Sequence, residues 1–322
     1  MSIILILFFL KFFIALQSFN AHEQSPPLFP NFPDKQQPFG HGVTPVSAGL
    51  FIKNMTEFNI QEDTFELEGT LWFDFNPNIV SLNSISGFQF DNGFLIEKSE
   101  PHTKFIGQRL FVTYDIRVKF LSSLVQTLFP LNDHRLYLVL KNDKLSPDEI
   151  HYEVNEKGVQ MASTVQPKGW VPISYDARTG YIKSALDQGD SKKILSFPSI
   201  IFSFSFAKPG FRHVLVILGP SIILFFFGLL GLLIHQQPAL QFPVTIGSLS
   251  GLLIYRFVIE GIIPHVGYFT LTDYLYFIFL ASTFIVLILN VYELEKPLSR
   301  TFKTAIFYAL QIFALATLVI LI

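Results

Sequence analysis

The distribution of apolar and polar residues divides the chain into two parts at about residue 207. Before this point, short runs alternate between apolar and polar residues, whereas long apolar segments follow it. The clearest alternating run is Thr64 to Phe75, in which Phe65, Leu67 and every second residue after them point one way. Such alternation is typical of an antiparallel strand with one face on a core. Further runs of this kind predict an all-β, immunoglobulin-like sandwich over residues 43–207.

The four apolar segments of the second part are each about as long as the hydrocarbon core of a bilayer requires. They predict an all-α transmembrane domain of four helices over residues 208–322. The predicted helices cover about 213–235, 239–261, 273–292 and 302–322.

The second of these segments mixes polar with apolar residues. Steps of three or four residues place one set on a single helical face: Gln241, Thr245, Ser248, Leu249, Leu252, Arg256 and Ile259. This face is polar, then apolar, then charged, as an aqueous pathway with a hydrophobic constriction would be. Alternatively, its hydroxyl groups bond to carbonyl groups of the same helix or of a neighbouring helix. The sequence leaves both interpretations open.

The N-terminal region predicts export of the β-domain. Residues 1–21 resemble a secretory signal peptide, and the alternative is an uncleaved N-terminal anchor. Residues 22–42 are predicted to form an extended lead-in to the β-domain. Four crossings would then place the connection 293–303, with its three basic residues, in the cytoplasm. We therefore expect a multi-pass protein of the cell membrane with its N-terminal domain outside, which is the periplasm in a bacterium.

Composition narrows the functional classes. Half of the 322 residues are hydrophobic and only 15% are charged, which indicates a membrane protein. The net charge of -2 gives no reason to expect a nucleic-acid partner. The chain has no cysteine, which excludes disulfides and thiolate catalysis. Because no HExxH, GxSxG or phosphate-binding glycine loop occurs either, we expect no enzyme activity, no cofactor and no metal site.

The order of the elements, together with several local motifs, resembles one family. The stretch 121–138 is similar to a loop with an aromatic-Pro-x-Asp signature, which Phe129-Pro130-Leu131 matches with Asn132 in the aspartate's place and Asp133 beside it. Gly169-Trp170, a proline in the first membrane helix and the linker 264–273 also match. The chain thus resembles the pentameric ligand-gated ion channels of the Cys-loop receptor superfamily, and most of all their short bacterial members, which lack the loop cysteines.

This resemblance implies a homopentamer in membrane lipid that conducts inorganic ions through a pore lined by the second helix. It places Gln241 at the cytoplasmic mouth, Thr245 one turn further in, and Leu249 and Leu252 at the gate. Arg256 has two readings, since it would repel cations if it faced the pore but could instead pair with Glu260 on the same helix.

The resemblance also implies ligand sites between neighbouring β-domains. Four aromatic residues lie in the segments that form such sites: Phe75, Trp170, Tyr175 and Tyr181. Each of them could equally belong to the sandwich core or a strand edge, and a small-molecule agonist is one of two candidates. Protons are the other, because His134 and His151 could titrate near neutral pH.

Coupling between the domains is expected from residues at five positions that match the family: Glu62, Asn132, Asp133, Lys208 and Pro264. Charges at a partly dry interface attract more strongly than at a free surface, although solvated loop charges would contribute little. A function from another class remains open, namely a sensor or binding module on a four-helix anchor that conducts no ions.

Overall fold

The computed structural model describes residues 2–29, 43–155, 158–167, 169–183, 196–208, 210–234 and 238–322. These residues form two compact units. The β-unit consists of Ala21–Leu124 and His134–Ala207, and the helical unit consists of Met1–Asn20, Val125–Asp133 and Lys208–Ile322.

The described part of the β-unit contains eleven strands and one short helix, α2 (Leu82–Ile85). The strands are β1 (Thr44–Asn59), β2 (Thr64–Phe75), β3 (Phe88–Phe90), β4 (Gly93–Lys98), β5 (His102–Ile106), β6 (Arg109–Leu121), β7 (His134–Asn142), β8 (Ile150–Glu153), β9 (Val159–Met161), β10 (Val171–Lys183) and β11 (Ser196–Ala207).

These strands form two sheets that share one core. The larger sheet has the order β4-β6-β2-β1-β8, with β5 on β6 and β9 on β1, and the smaller sheet has the order β10-β11-β7-β3. Inward residues of both sheets, such as Phe73 of β2 and Phe202 of β11, belong to one buried cluster. The predicted β-sandwich is therefore confirmed, and the alternating run 64–75 coincides with β2.

The described part of the helical unit contains the four predicted long helices and one further helix. They are α1 (Ser2–Ala15), α3 (Arg212–Leu230), α4 (Pro238–Glu260), α5 (Leu271–Glu295) and α6 (Arg300–Leu321). Helices α3 to α6 are long and apolar enough to cross a membrane, which confirms the predicted multi-pass character.

Local sequence sets where α5 and α6 begin. The hydroxyl of Thr270 accepts a hydrogen bond from the N–H of Asp273, whose carboxylate in turn accepts one from the N–H of Thr270. This reciprocal capping box satisfies two backbone donors at the start of α5. Ser299 caps α6 by accepting a hydrogen bond from the N–H of Phe302.

Gly228 in α3 and Gly231 directly after it allow α4 to approach closely. A β-carbon added at Gly228 would lie 2.7 Å from the hydroxyl of Ser248, and one at Gly231 would collide with the hydroxyl of Thr245. Small residues at such positions are typical of membrane helix interfaces, because they bring backbones and short polar side chains together.

Two segments outside the four predicted membrane helices also belong to the helical unit. Residues 125–133 were predicted within the sandwich domain but pack with the helices. In α1, Phe8 and Phe12 are fully buried, and the Phe8 ring lies 6.0 Å from that of Phe226 and 6.4 Å from that of Phe279. Cleavage of residues 1–21 as a signal peptide stays a prediction.

Candidate functional site

The predicted pore-lining face of α4 is packed inside its own bundle. Five of its seven residues are buried: Gln241, Thr245, Ser248, Leu252 and Ile259. Leu249 is only partly buried. Side chains that are enclosed by other helices of the same chain cannot line a pathway between copies. A pore-lining role is therefore wrong for the five buried residues, whereas that of Leu249 stays a prediction.

Hydrogen bonds within the bundle explain why polar residues are tolerated there. The hydroxyl of Thr245 donates to the carbonyl of Gln241 at 3.0 Å and accepts from the side-chain amide of Asn290 at 2.9 Å. The hydroxyl of Ser248 donates to the carbonyl of Leu224 on α3. Buried polar groups need such partners in a membrane. The alternative in which these hydroxyls bond to neighbouring helices is the one that the structure shows.

The opposite face of α4 is exposed. Its residues follow one another in steps of three and four, which keeps them on one side of the helix. They are Leu240, Pro243, Gly247, Ser250, Ile254 and Phe257, and we call them the exposed α4 face. Sequence reasoning missed this face because its spacing equals that of the buried face. The signal that could have found it is the combination of small residues at 247 and 250 with large apolar residues at 254 and 257.

Arg256 lies between the two faces and is neutralised. One guanidinium nitrogen lies 2.7 Å from the carboxylate of Glu260, and another lies 2.6 Å from that of Asp273 at the start of α5. The ion-pair reading of Arg256 is therefore the correct one. The same residues line a groove of about 660 Å³, which Tyr268 and Phe269 of the α4–α5 linker complete.

Residues 125–133 are hydrogen-bonded to the segment that joins α4 to α5 and to the start of α5. The N–H of Gln126 donates to the Tyr268 hydroxyl at 2.8 Å, and the N–H of Leu271 donates to the carbonyl of Thr127 at 2.8 Å. The Thr272 hydroxyl also donates to the carbonyl of Phe129 at 2.8 Å. This loop and the linker thus form one hydrogen-bonded junction within the helical unit.

Four of the predicted coupling residues lie in the helical unit, namely Asn132, Asp133, Lys208 and Pro264. The carboxylate of Asp133 accepts from the N–H of Lys208 at 3.0 Å and from the N–H of Asn20 at 2.9 Å. Asn132 donates its side-chain amide to the carbonyl of Val125, which closes the loop on itself. Pro264 is buried in the α4–α5 linker.

Glu62 lies in the β-unit, in the turn between β1 and β2, where its N–H donates to the side chain of Asn59 at 3.2 Å. Its proposed electrostatic link to Lys208 stays a prediction. A double-mutant cycle of Glu62→Ala and Lys208→Ala would reveal such a link as a departure from additive effects.

Burial perturbs Lys208. Desolvation lowers the pKa of its ammonium group from 10.5 to about 8, and the Nζ atom lies 2.7 Å from Nε2 of His213. Between these two pKa values the unfolded chain binds more protons at this lysine than the folded chain does. Stability should therefore rise with pH across this window.

We expect the melting temperature in detergent to rise between pH 8 and about 10 for this reason, and Lys208→Met to abolish most of that rise. Lys104→Met, at an exposed position of β5, is the control and should leave the rise intact. An identical pH profile for the wild type and Lys208→Met would contradict the assignment.

Three of the four aromatic residues predicted to bind ligand are inside the sandwich. Phe75 and Trp170 belong to the main core, and the Tyr181 side chain is buried with its hydroxyl 3.3 Å from the carbonyl of Ile150. Their assignment to a surface site is wrong, because these aromatic rings are packed inside the sandwich and are not exposed. Tyr175 is exposed on β10 and remains available.

The two histidines considered as proton sensors differ in their surroundings. His134 is buried against Glu23, with Nδ1 2.7 Å from the carboxylate. His151 is partly exposed and lies 3.0 Å from the carboxylate of Glu153. Both are in the β-unit.

Sequence comparison does not assign the chain to a family. No family model matches it, and no curated protein matches its sequence. The architecture of a β-sandwich with four apolar helices is compatible with a channel and with a membrane-anchored binding protein. The choice between them depends on the α4 faces and on the junction at residues 125–133.

Proposed function

We propose that the protein is a pentameric ligand-gated ion channel, in which the exposed α4 face of five copies lines a central pore. Ligand or proton binding to the β-unit opens this pore. The burial of the polar α4 stripe removes the argument based on that stripe, so the proposal rests on the opposite face.

The observation that carries the proposal is the difference between the exposed faces of α4 and α6. Both helices are mostly uncovered within one chain. The exposed residues of α6 include Phe302, Tyr308, Phe313 and Ile320, which suit a lipid environment. The exposed α4 face instead carries a proline, a glycine and a serine at positions 243, 247 and 250, and α4 is the least apolar of the four spans. Short side chains leave room along a shared axis.

The second half of the exposed α4 face suits a gate. Ile254 and Phe257 are 67% and 82% exposed, so large apolar side chains project from the helix one turn apart. Five copies around an axis would form a narrow apolar constriction, which expels water and blocks ions without a physical seal.

The junction at residues 125–133 supports gating. It bonds to the linker that directly follows the C-terminal end of α4 through Tyr268, and to the start of α5 through Leu271 and Thr272. A displacement of the loop would therefore pull on the α4–α5 linker, and small shifts of packed helices are a known route to switching.

A non-conducting sensor on a helical anchor is the second candidate. The observation that favours it is the burial of Thr245 and Ser248, whose hydroxyls are satisfied within one chain and do not require water. In that case the exposed α4 face would contact lipid or another copy, and Phe257 would have no role in conduction.

The test is reconstitution of the purified chain in liposomes, with ion flux recorded across a pH series and with primary amines. We expect flux, a pentameric mass in native mass spectrometry, and increased basal flux for Phe257→Ala because the constriction is widened. Phe313→Ala, at a comparably exposed aromatic of α6, is the matched control and should leave flux unchanged. Absence of flux under all conditions would favour the non-conducting anchor, and equal effects of the two variants on flux would contradict a pore lined by the exposed α4 face.

A further inference from the structure

The outer face of the smaller sheet is crossed by residues 22–29, which we call the strap. This segment lies in the β-unit ahead of β1 and forms no strand of its own. Its contacts run from the first residues of β7 to the edge strand β10, with β11 between these two strands in the sheet.

One end of the strap is fixed by Glu23 at the start of β7. Its carboxylate accepts a hydrogen bond from the N–H of Arg135 at 3.1 Å and lies 2.7 Å from Nδ1 of His134. The side chains of Glu23 and His134 are 1% and 2% exposed, so this polar pair is almost fully desolvated. Strand β3 pairs with β7 only from Leu140 to Asn142. Glu23 thus supplies an acceptor at a part of the β7 edge where no strand of the described residues pairs.

The middle of the strap covers an apolar patch. Tyr137, Val139 and Ile201 form a small cluster that is separate from the main core, and Leu28 packs against it. Val139 pairs with Ile201 across β7 and β11, whereas their chain neighbours Leu138 and Ile200 belong to the main core. Because residues alternate between the two faces of a strand, this patch lies on the outer face of the sheet. The strap keeps it from water.

The other end of the strap is bonded to β10. Phe29 and Tyr181 exchange two backbone hydrogen bonds of 2.9 and 3.0 Å, which form an isolated antiparallel bridge. The neighbouring Gly180 permits this approach, because a β-carbon there would lie 2.5 Å from the carbonyl oxygen of Phe29. Lys183 also places its ammonium group 4.8 Å from the centre of the Phe29 ring.

We propose that the strap is a built-in brace that joins the edge strand β10 to the start of β7, so that release of one end loosens the other. The buried Glu23 pair, the Leu28 contact and the Phe29 bridge fix it at three points. Since His134 directly follows the loop 125–133, the brace would carry movements of β10 to that loop. This last step rests on the proposed channel function, whereas the brace itself does not.

A disulfide tests whether the strap occupies this position. In an antiparallel pair that exchanges both hydrogen bonds, the two Cα atoms are about 5.5 Å apart, which suits a disulfide. The chain has no cysteine, so Phe29→Cys with Tyr181→Cys gives one defined pair. We expect rapid formation of an intramolecular disulfide under mild oxidation in the full-length chain. A folded double variant that forms none would overturn the proposal.

Hydrogen exchange on a second variant tests whether release of the strap at β10 loosens its contact with β7. This variant keeps the buried Tyr181. Gly180→Ala should displace Phe29, and we expect about fivefold faster deuterium uptake both in the strap and at the N–H of Arg135. Thr179→Ala, the adjacent position on the opposite face of β10, is the matched control and should change neither. Faster uptake in the strap with unchanged uptake at Arg135 would contradict the brace.

Flux measurements on the disulfide variant separate the brace from its use in gating. We expect oxidation to reduce stimulated flux about fivefold, and reduction of the disulfide to restore it. Oxidation that leaves the flux unchanged would show that the brace takes no part in gating. If the wild type carries no flux, the channel proposal fails, while the disulfide and the hydrogen exchange still decide whether the brace exists.

Discussion

Replacement of Arg256 by alanine is expected to lower the free energy of unfolding by about 3 kcal/mol, the lower end of the range for removal of one partner of a buried ion pair, because the arginine side chain is 27% exposed. The reason is Asp273, whose side chain is 8% exposed and would be left without the guanidinium group that lies 2.6 Å from it. Asp273 also receives hydrogen bonds from the N–H and hydroxyl of Thr270, which fix the start of α5. Loss of Arg256 should therefore also loosen the α4–α5 linker.

The matched control is Glu260→Gln, because Glu260 is the other partner of Arg256 but is 58% exposed. An exposed pair of this kind contributes about 0–1 kcal/mol, so a small change in melting temperature is expected. Combining Arg256→Ala with Asp273→Asn should recover part of the loss, since no unpaired charge remains. Thermal unfolding in detergent measures all three variants. Equal effects of Arg256→Ala and Glu260→Gln would show that the Asp273 pair carries little weight.

An aspartate on the buried face of α4 and an aspartate on its exposed face should have opposite effects on folding. Ser248→Asp puts a carboxylate against Gly228 and beside the carbonyl oxygen of Leu224, which repels it, so we expect loss of folded protein. Ser250→Asp lies on the exposed α4 face. If that face lines an aqueous pore, the variant assembles and its five carboxylates raise the permeability to cations over anions.

Expression, native mass and reversal potentials measure these outcomes. An aspartate that faces lipid at the centre of a helix raises the free energy of membrane insertion by about 2.5–3.5 kcal/mol. Poor insertion of Ser250→Asp would therefore indicate that the exposed α4 face contacts hydrocarbon. Ser250→Asn is a neutral control of similar size. A well-folded Ser248→Asp variant would contradict the packing of α3 against α4.

Local patterns determine much of the fold. Alternation over residues 64–75 predicted β2 with its correct inward residues, because one face of that strand packs on the core. The four apolar segments predicted α3 to α6, because only a helix of about that length satisfies its own backbone across a bilayer. These features depend on neighbouring residues in the sequence.

The orientation of α4 could not be predicted in the same way. The partner that makes a buried Thr245 favourable is Asn290, which lies on α5 and 45 positions further along the chain. Spacing by three and four residues describes Thr245 and Ser250 equally well, although they face opposite directions. Which face is buried depends on Gly228 and Gly231 at the end of α3, and hence on helix packing rather than on α4 alone.

The aromatic residues show that two lines of reasoning can disagree. Alternation placed Phe75 on the inward face with Phe65 and Leu67, whereas the family resemblance placed it in a ligand site. The structure follows the alternation, and Phe75 is fully buried. The strap was predicted only as part of an extended lead-in, since its contacts with β7 and β10 join residues more than 100 positions apart.

The most direct test of the channel proposal is a cysteine-accessibility scan of α4 in reconstituted protein, for which the cysteine-free chain is a ready background. Single cysteines at Gly247, Ser250, Ile254 and Phe257 should react with a charged, membrane-impermeant thiol reagent during flux and should block that flux. Cysteines at Thr245 and Leu252 should not react. Modification of the second set, or flux that persists after complete modification of the first, would contradict a pore lined by the exposed α4 face.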